Sequence, residues 1–182
     1  MTALGEEYRR RASEPNDIMM QLPTLYAWAH LPGVRIIELG TRSGNSTAAF
    51  LAGIEHADAG GALWSVDLNP PEVPAGWHDV PFWHVLTADD VSPEAVSWFP
   101  DDADVLFIDT SHYYEPTLAE LRAYAPKVKP GGVILMHDTD TPGTDIAWPD
   151  VPRVLDDWCA ETGLTWLNHR GWNGLGVVEI PR

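Results

Sequence analysis

Arg35-Ile-Ile-Glu-Leu-Gly-Thr-Arg-Ser-Gly-Asn-Ser-Thr47 is the stretch whose reading decides the fold. An apolar run from Val34 to Ile37 ends in Glu38, turns through Gly40 and Gly44, and opens onto Asn45, Ser46 and Thr47. The pattern reads as a buried strand, a glycine turn and a helix N-terminus. Glycines let the turn's backbone pass close to a ligand, and the first N–H groups of a helix are free to meet a carboxylate or phosphate. The next apolar run, 62–67, closes on Asp67, 23 residues beyond Gly44. A carboxylate there, about 20 residues past such a turn, can accept both hydroxyls of a ribose. Taken singly, the first also reads as a strand–helix turn with no ligand and the second as a surface aspartate. Together they point to a nucleoside-containing ligand.

Outward from this unit, apolar runs alternate with helical periodicities, which predicts an α/β sheet with crossover helices. Strands are expected near 34–39, 62–67, 82–86, 104–109, 133–136, 164–169 and 175–180. Helices are expected near 15–31, 45–56, 93–98, 115–125 and 151–161. In the first of these, Pro15 fits a first turn after Ser13, while Ile18, Met19, Leu22, Leu25, Tyr26 and Ala29 share a face. Pro23 inside it marks a kink or break. Residues 69–81 hold four prolines and are expected to form a loop. Gly171-Trp-Asn-Gly174 joins the last two strands as an antiparallel hairpin.

Composition removes several function classes. Eleven basic against 27 acidic residues give a net charge of −16, a field that repels a polyanion such as nucleic acid. No run of 18 uncharged apolar residues is present, so a membrane-spanning helix is not expected. The first eleven residues lack the apolar segment of a signal peptide, and a lone cysteine, Cys159, permits no internal disulfide. The expected location is the cytoplasm.

Two further groups of polar residues follow strands. Asp109-Thr-Ser-His112 comes after the fourth, and His137-Asp-Thr-Asp140 after the fifth. In a parallel sheet both lie at the edge that carries the glycine turn. Carboxylates ~4 Å apart repel by roughly 4 kcal/mol at an effective dielectric of about 20, so a cation, a protonated histidine or water must intervene. Oxygen-rich sites of this kind suit Mg²⁺, Ca²⁺ or Mn²⁺. Solvated acidic loops are the alternative.

In this order and spacing, the motifs resemble class I S-adenosylmethionine-dependent methyltransferases over about residues 33–180. Glu38-Leu-Gly-Thr-Arg-Ser-Gly-Asn-Ser46 is similar to the cofactor motif of the catechol O-methyltransferase-like branch. Pro130-Gly-Gly-Val-Ile-Leu-Met-His-Asp138 is similar to the family's fifth-strand motif. Phe107-Ile-Asp-Thr-Ser-His-Tyr-Tyr-Glu115 resembles a segment of bacterial small-molecule members, sugar O-methyltransferases included. The resemblance implies one Rossmann-like α/β domain, 33–182, with a seven-stranded, mostly parallel sheet, a C-terminal antiparallel hairpin and helices on both faces. An N-terminal helical segment, 1–32, would lie on the acceptor side or at a dimer contact.

It also implies roles. Gly40, Thr41 and Gly44 would line the methionine part of S-adenosylmethionine, with Glu38 under its amino group and Ser46 near its carboxylate. Asp67 would hold the ribose, Asp89 (with Asp90 competing) the adenine, and Asp109 would close the cofactor site. Asp109 and Asp138 would hold Mg²⁺. Thr139 stands where relatives often carry another Asp or Asn, which leaves Asp140 as the nearest further carboxylate. His112 would be the general base beside Asp109. Trp148 is placed against the acceptor, with Trp77 and Trp172 as weaker candidates and His137 as a neighbour rather than a base. The implied reaction is O-methylation of a sugar or phenolic hydroxyl on a small natural product. A non-catalytic S-adenosylmethionine-binding partner protein and a metal-dependent hydroxylase-like enzyme of an antibiotic pathway are the alternatives. So short a chain has little to cover the acceptor, which favours a shallow site or a homodimer.

Overall fold

The computed structural model describes residues 2–140 and 150–182. Seven strands form one sheet: β1 (Arg35–Leu39), β2 (Ala62–Asp67), β3 (Trp83–Thr87), β4 (Ala103–Ile108), β5 (Val128–His137), β6 (Trp166–His169) and β7 (Leu175–Glu179). Their order is β3-β2-β1-β4-β5-β7-β6, with β7 antiparallel to both its neighbours and the remaining pairs parallel. The chain reverses its direction of winding between β1 and β4. Open α/β sheets hold ligands at that switch point, outside the carboxyl ends of the strands.

Alternation along the central strands explains the layers. On β4, Val105 and Phe107 face one core while Leu106 and Ile108 face the other, and all four are buried. The first core is closed by α1 (Ala3–Arg11), α2 (Leu22–Ala29) and α3 (Asn45–Ala57). The second is closed by α4 (Pro93–Trp98), α5 (Tyr114–Tyr124) and α6 (Asp150–Thr162). The seven-stranded sheet, its mostly parallel pairing and the C-terminal hairpin are as expected. So is the proline-rich stretch, which holds only a short 3₁₀ turn, Ala75–Asp79.

Three boundaries differ. The helix expected over 15–31 begins only at Leu22, with Pro23 in its first turn. Ahead of it, Asn16 accepts from Ile18 N (3.1 Å) and donates to Arg11 O (2.8 Å) and Glu14 O (2.9 Å). A side chain that supplies the turn's own bonds competes with helix. A separate helix, α1, precedes it, capped by Thr2 on Gly5 N and braced by Glu7 pairing with Arg10 and Arg11. Finally, β5 starts at Val128 and runs straight through Pro130-Gly131-Gly132, with an irregularity in its pairing to β4 absorbing the turn-like residues.

Candidate active site

The glycine turn is fixed from below and from the side. Gly40 has φ 89°, and a Cβ there would sit 2.0 Å from the Asp109 carbonyl oxygen, so only glycine brings β1 this close to the end of β4. Asp67 Oδ2 accepts from Thr41 N (2.9 Å) and Arg42 N (2.8 Å), and its Oδ1 accepts from Asn69 N (2.9 Å). Asp67 therefore clamps the turn while its remaining lone pairs face outward from a half-buried side chain.

Glu38 lies beneath the turn, fully buried. Ser46 (2.7 Å), Thr47 (2.9 Å) and Ser65 (2.6 Å) donate to it, and Trp83 Nε1 donates to Ser65 in turn (2.9 Å). Burial pushes its carboxyl up to about 7, against the lowering pull of the three hydroxyls. The Ser46 hydroxyl is thus engaged with Glu38. Thr41 is different. It is 2% exposed, and its Oγ1 has no partner among the described residues. It lines a recess of about 10 Å³ together with Asp17, Ile18, Gly40, Ser43 and Asp109, room for little more than one water.

The ends of β4 and β5 build a second, adjoining cluster. His112 Nε2 lies 3.0 Å from both Asp109 Oδ1 and Asp138 Oδ2. His137 Nδ1 lies 3.3 and 3.2 Å from the same two oxygens, with its ring fully enclosed. His112 (φ 60°) and Asp138 (φ 59°) both occupy left-handed backbone, as does Arg42 (φ 46°) in the turn. Non-glycine residues held in this region cost of order 1–3 kcal/mol, and such strain concentrates at functional sites. Burial alone would raise Asp109, but hydrogen bonds from His112 and His137 and the positive charge of His137 hold it far below the usual carboxylate range. Burial pulls His137 down, yet the bonds and charges of Asp109 and Asp138 push it up to about 10. The repulsion between the two aspartates is thus relieved by an enclosed imidazolium.

The metal-ligand set differs in detail from the one the sequence suggests. One ligand atom each from Asp109, His137 and Asp138 lie within 4.8 Å of one another, so His137 joins the two aspartates. Thr139 Oγ1 donates to Asn168 Oδ1 (3.0 Å), and Asp140 Oδ2 accepts from Gly171 N (2.8 Å). Both side chains are turned to the β6–β7 hairpin.

At the β3 side of the same edge, Asp89 is exposed and Asp90 hydrogen bonds Glu120. Sequence reasoning missed Glu120. It is 2% exposed and accepts from Thr110 Oγ1 at 2.8 and 2.9 Å. The available signal was a carboxylate among Thr117, Leu118, Leu121 and Tyr124, the buried face of α5. Of the tryptophans singled out, Trp148 lies outside the described residues. Trp77 is buried and packs edge-on against Trp83 (6.1 Å) in the core. Trp172 sits at the hairpin tip, 47% exposed.

A family model described as a methyltransferase domain matches residues 37–139, from the middle of β1 through the β5 cluster. The chain belongs to that family. A curated relative, the uncharacterized protein y4gI of Sinorhizobium fredii, is 28% identical over 119 residues, 58% of this chain and 13% of that protein. The chain therefore spans only a small part of that relative's length. Among solved structures, the SAH-bound methyltransferase PaMTH1 of Podospora anserina matches with a TM-score of 0.71 at 14% identity, covering 100% of this chain and 89% of that one. MycE, a methyltransferase of the mycinamycin biosynthetic pathway solved with Mg, SAH and mycinamycin VI, matches with a TM-score of 0.68 at 15% identity, covering 100% and 54%. These likenesses establish the shared class I methyltransferase fold. In this methyltransferase domain the matched segment ends at Thr139, so it contains every site residue from Glu38 to Asp138. No helix of the described residues is long and apolar enough to cross a membrane.

Proposed function

We propose that this protein is an S-adenosylmethionine-dependent O-methyltransferase acting on a hydroxyl of a small molecule, a sugar or phenolic natural product. One observation carries the reading. The recess at the glycine turn is lined by Thr41, with its unpartnered buried hydroxyl, and by Asp109, a member of the histidine–carboxylate cluster. A cofactor seated on the turn is thereby adjacent to a proton acceptor.

S-adenosylmethionine supplies a methyl group already activated on a sulfonium. The protein's task is alignment, which can contribute about 7–11 kcal/mol, and removal of the acceptor's proton. Asp67 and the closely approaching backbone of the glycine turn orient the cofactor, with Asp89 beside the adenine. His112, whose Nε2 faces the two carboxylates, is the general base. Asp109 and Asp138 stabilise the imidazolium that forms. Asp109, Asp138 and, once its imidazolium has given up the Nδ1 proton, His137 would hold a divalent cation such as Mg²⁺, whose chemistry is to lower the pKa of a coordinated hydroxyl. The N-terminal segment, 1–32, would serve the acceptor side or a dimer contact.

Calorimetry with S-adenosylmethionine tests the reading. Micromolar binding is expected. Asp67→Ala should weaken it about 10- to 100-fold, because the turn loses its charged clamp as well as the ribose acceptor. Absence of binding by a folded wild-type protein overturns the proposal. Release of S-adenosylhomocysteine in the presence of hydroxylated small molecules then separates an enzyme from a binding partner.

A further inference from the structure

The segment between α1 and α2, residues 12–21, lies across the recess and is tied down on two sides. Toward the glycine turn, the Asp17 carboxylate pairs with the Arg42 guanidinium at 3.1 Å. Just before the segment, Arg11 Nη1 donates to Ser43 O (2.8 Å) and Asn45 Oδ1 (2.6 Å). Toward the hairpin, Trp172 Nε1 donates to Asn16 O (2.7 Å) and Gln21 Nε2 donates to Gly171 O (3.1 Å). Leu175 pairs with His137, so the hairpin turn that carries Gly171 and Trp172 stands at the same sheet edge as the histidine–carboxylate cluster. The segment therefore bridges from the cofactor turn to the catalytic side of the site. Ile18, 2% exposed, lines the recess.

The volume decides what this covering does. The methionine portion of the cofactor has roughly ten heavy atoms and fills the room of several waters, each of which needs roughly 10–15 Å³ on the measure that gives the recess its volume. The recess between the turn and Asp109 offers about 10 Å³. We infer that residues 12–21 form a strap that lifts before the cofactor seats, with Trp172 and Asp17 as the two latches that hold it down. The inference rests on the cofactor reading above and adds a gate to it. Trp172 is a positioning residue: its left-handed backbone (φ 53°) turns the indole N–H onto the strap. The latches are weak individually, one neutral hydrogen bond and one exposed ion pair, as a strap that must open on each cycle requires.

Stopped-flow tryptophan fluorescence with S-adenosylmethionine reads the gate directly. In the wild type, the observed rate should level off as cofactor concentration rises, at the rate of lifting. Trp172→Phe keeps an aromatic ring but loses the donor and should raise that plateau about 2- to 10-fold. Asp17→Asn keeps the shape but loses the charge and should raise it about 2- to 5-fold. Both side chains are 40% or more exposed, so both variants should fold, which thermal melting checks. A rate linear in concentration, or one plateau shared by all three proteins while calorimetry shows tight binding, overturns the strap and leaves the cofactor reading standing. No heat of binding in any of the three overturns both.

Discussion

Asp109 and Asp138 share their oxygens with two imidazoles, whereas Asp90 and Glu120, at the β3 side of the same sheet edge, meet a threonine hydroxyl and each other. Both pairs are largely withdrawn from water. Burial raises all such carboxyls, and the neighbours decide the outcome. For Asp109 the histidines win, and the carboxyl stays ionised well below its ordinary range. Burial, joined by the charge of Asp89, moves Asp90 up to about 6 against its bonds from Val91 and Glu120, and burial, joined by the charge of Asp90, moves Glu120 up to about 8. One pair stores charge, the other stores a proton. On the function proposed above, proton abstraction beside a sulfonium needs the first kind of environment, and the second would give an adenine at the β3 side an uncharged wall.

The largest expected effect comes from breaking the charged cluster at the residue that would do chemistry. His112→Ala should lower turnover about 10²- to 10⁴-fold, the range of a lost general base, while calorimetric affinity for S-adenosylmethionine stays within about threefold. A loss under tenfold, or an equal loss of cofactor binding, removes His112 from the base role. Next in size is Asp138→Asn. It leaves the enclosed His137 imidazolium facing one carboxylate instead of two. Breaking a buried pair costs about 3–5 kcal/mol, and because Asp109 remains, the low end is expected in urea unfolding at pH 7. An unchanged midpoint means that the two aspartates do not hold a charged His137.

Much of this contrast was written in the chain, but unevenly. The β1–turn–α3 unit and Asp67 were legible because they are local: strand period, glycine positions and a carboxylate at a fixed separation. Asp109, His112 and Asp138 were legible as a group because a parallel sheet brings successive strand ends together. The partnership of His137 with both aspartates was not, since it depends on which way two left-handed residues aim their side chains. Glu120 was hidden for the opposite reason. A helical face tells which residues are buried, and nothing in its period says that a carboxylate there will find Thr110 and Asp90 across the core. The strap failed at Asn16, where side-chain bonds to Arg11 and Glu14 override a sequence that otherwise aligns a helical face.

The smallest effect concerns the second pair and fixes its sign. Asp90 and Glu120 have folded values above their unfolded ones, 3.8 and 4.5. Their contribution to stability is therefore fully present below about pH 4 and is lost as pH rises through about 8. Glu120→Gln imitates the protonated acid: one oxygen still accepts from Thr110, and the amide can donate toward Asp90. Groups other than Asp90, which is bonded to Glu120, shape the pH profile of the wild type but cancel in the difference between the two proteins. That difference in unfolding free energy should move in favour of Glu120→Gln by on the order of 1–2 kcal/mol between pH 5 and pH 9. A difference flat across this range means that Glu120 is ionised throughout and that the contrast with Asp109 is one of partners alone. A difference moving the other way means that Thr110 stabilises the carboxylate more than burial opposes it, and the uncharged wall is lost from the picture.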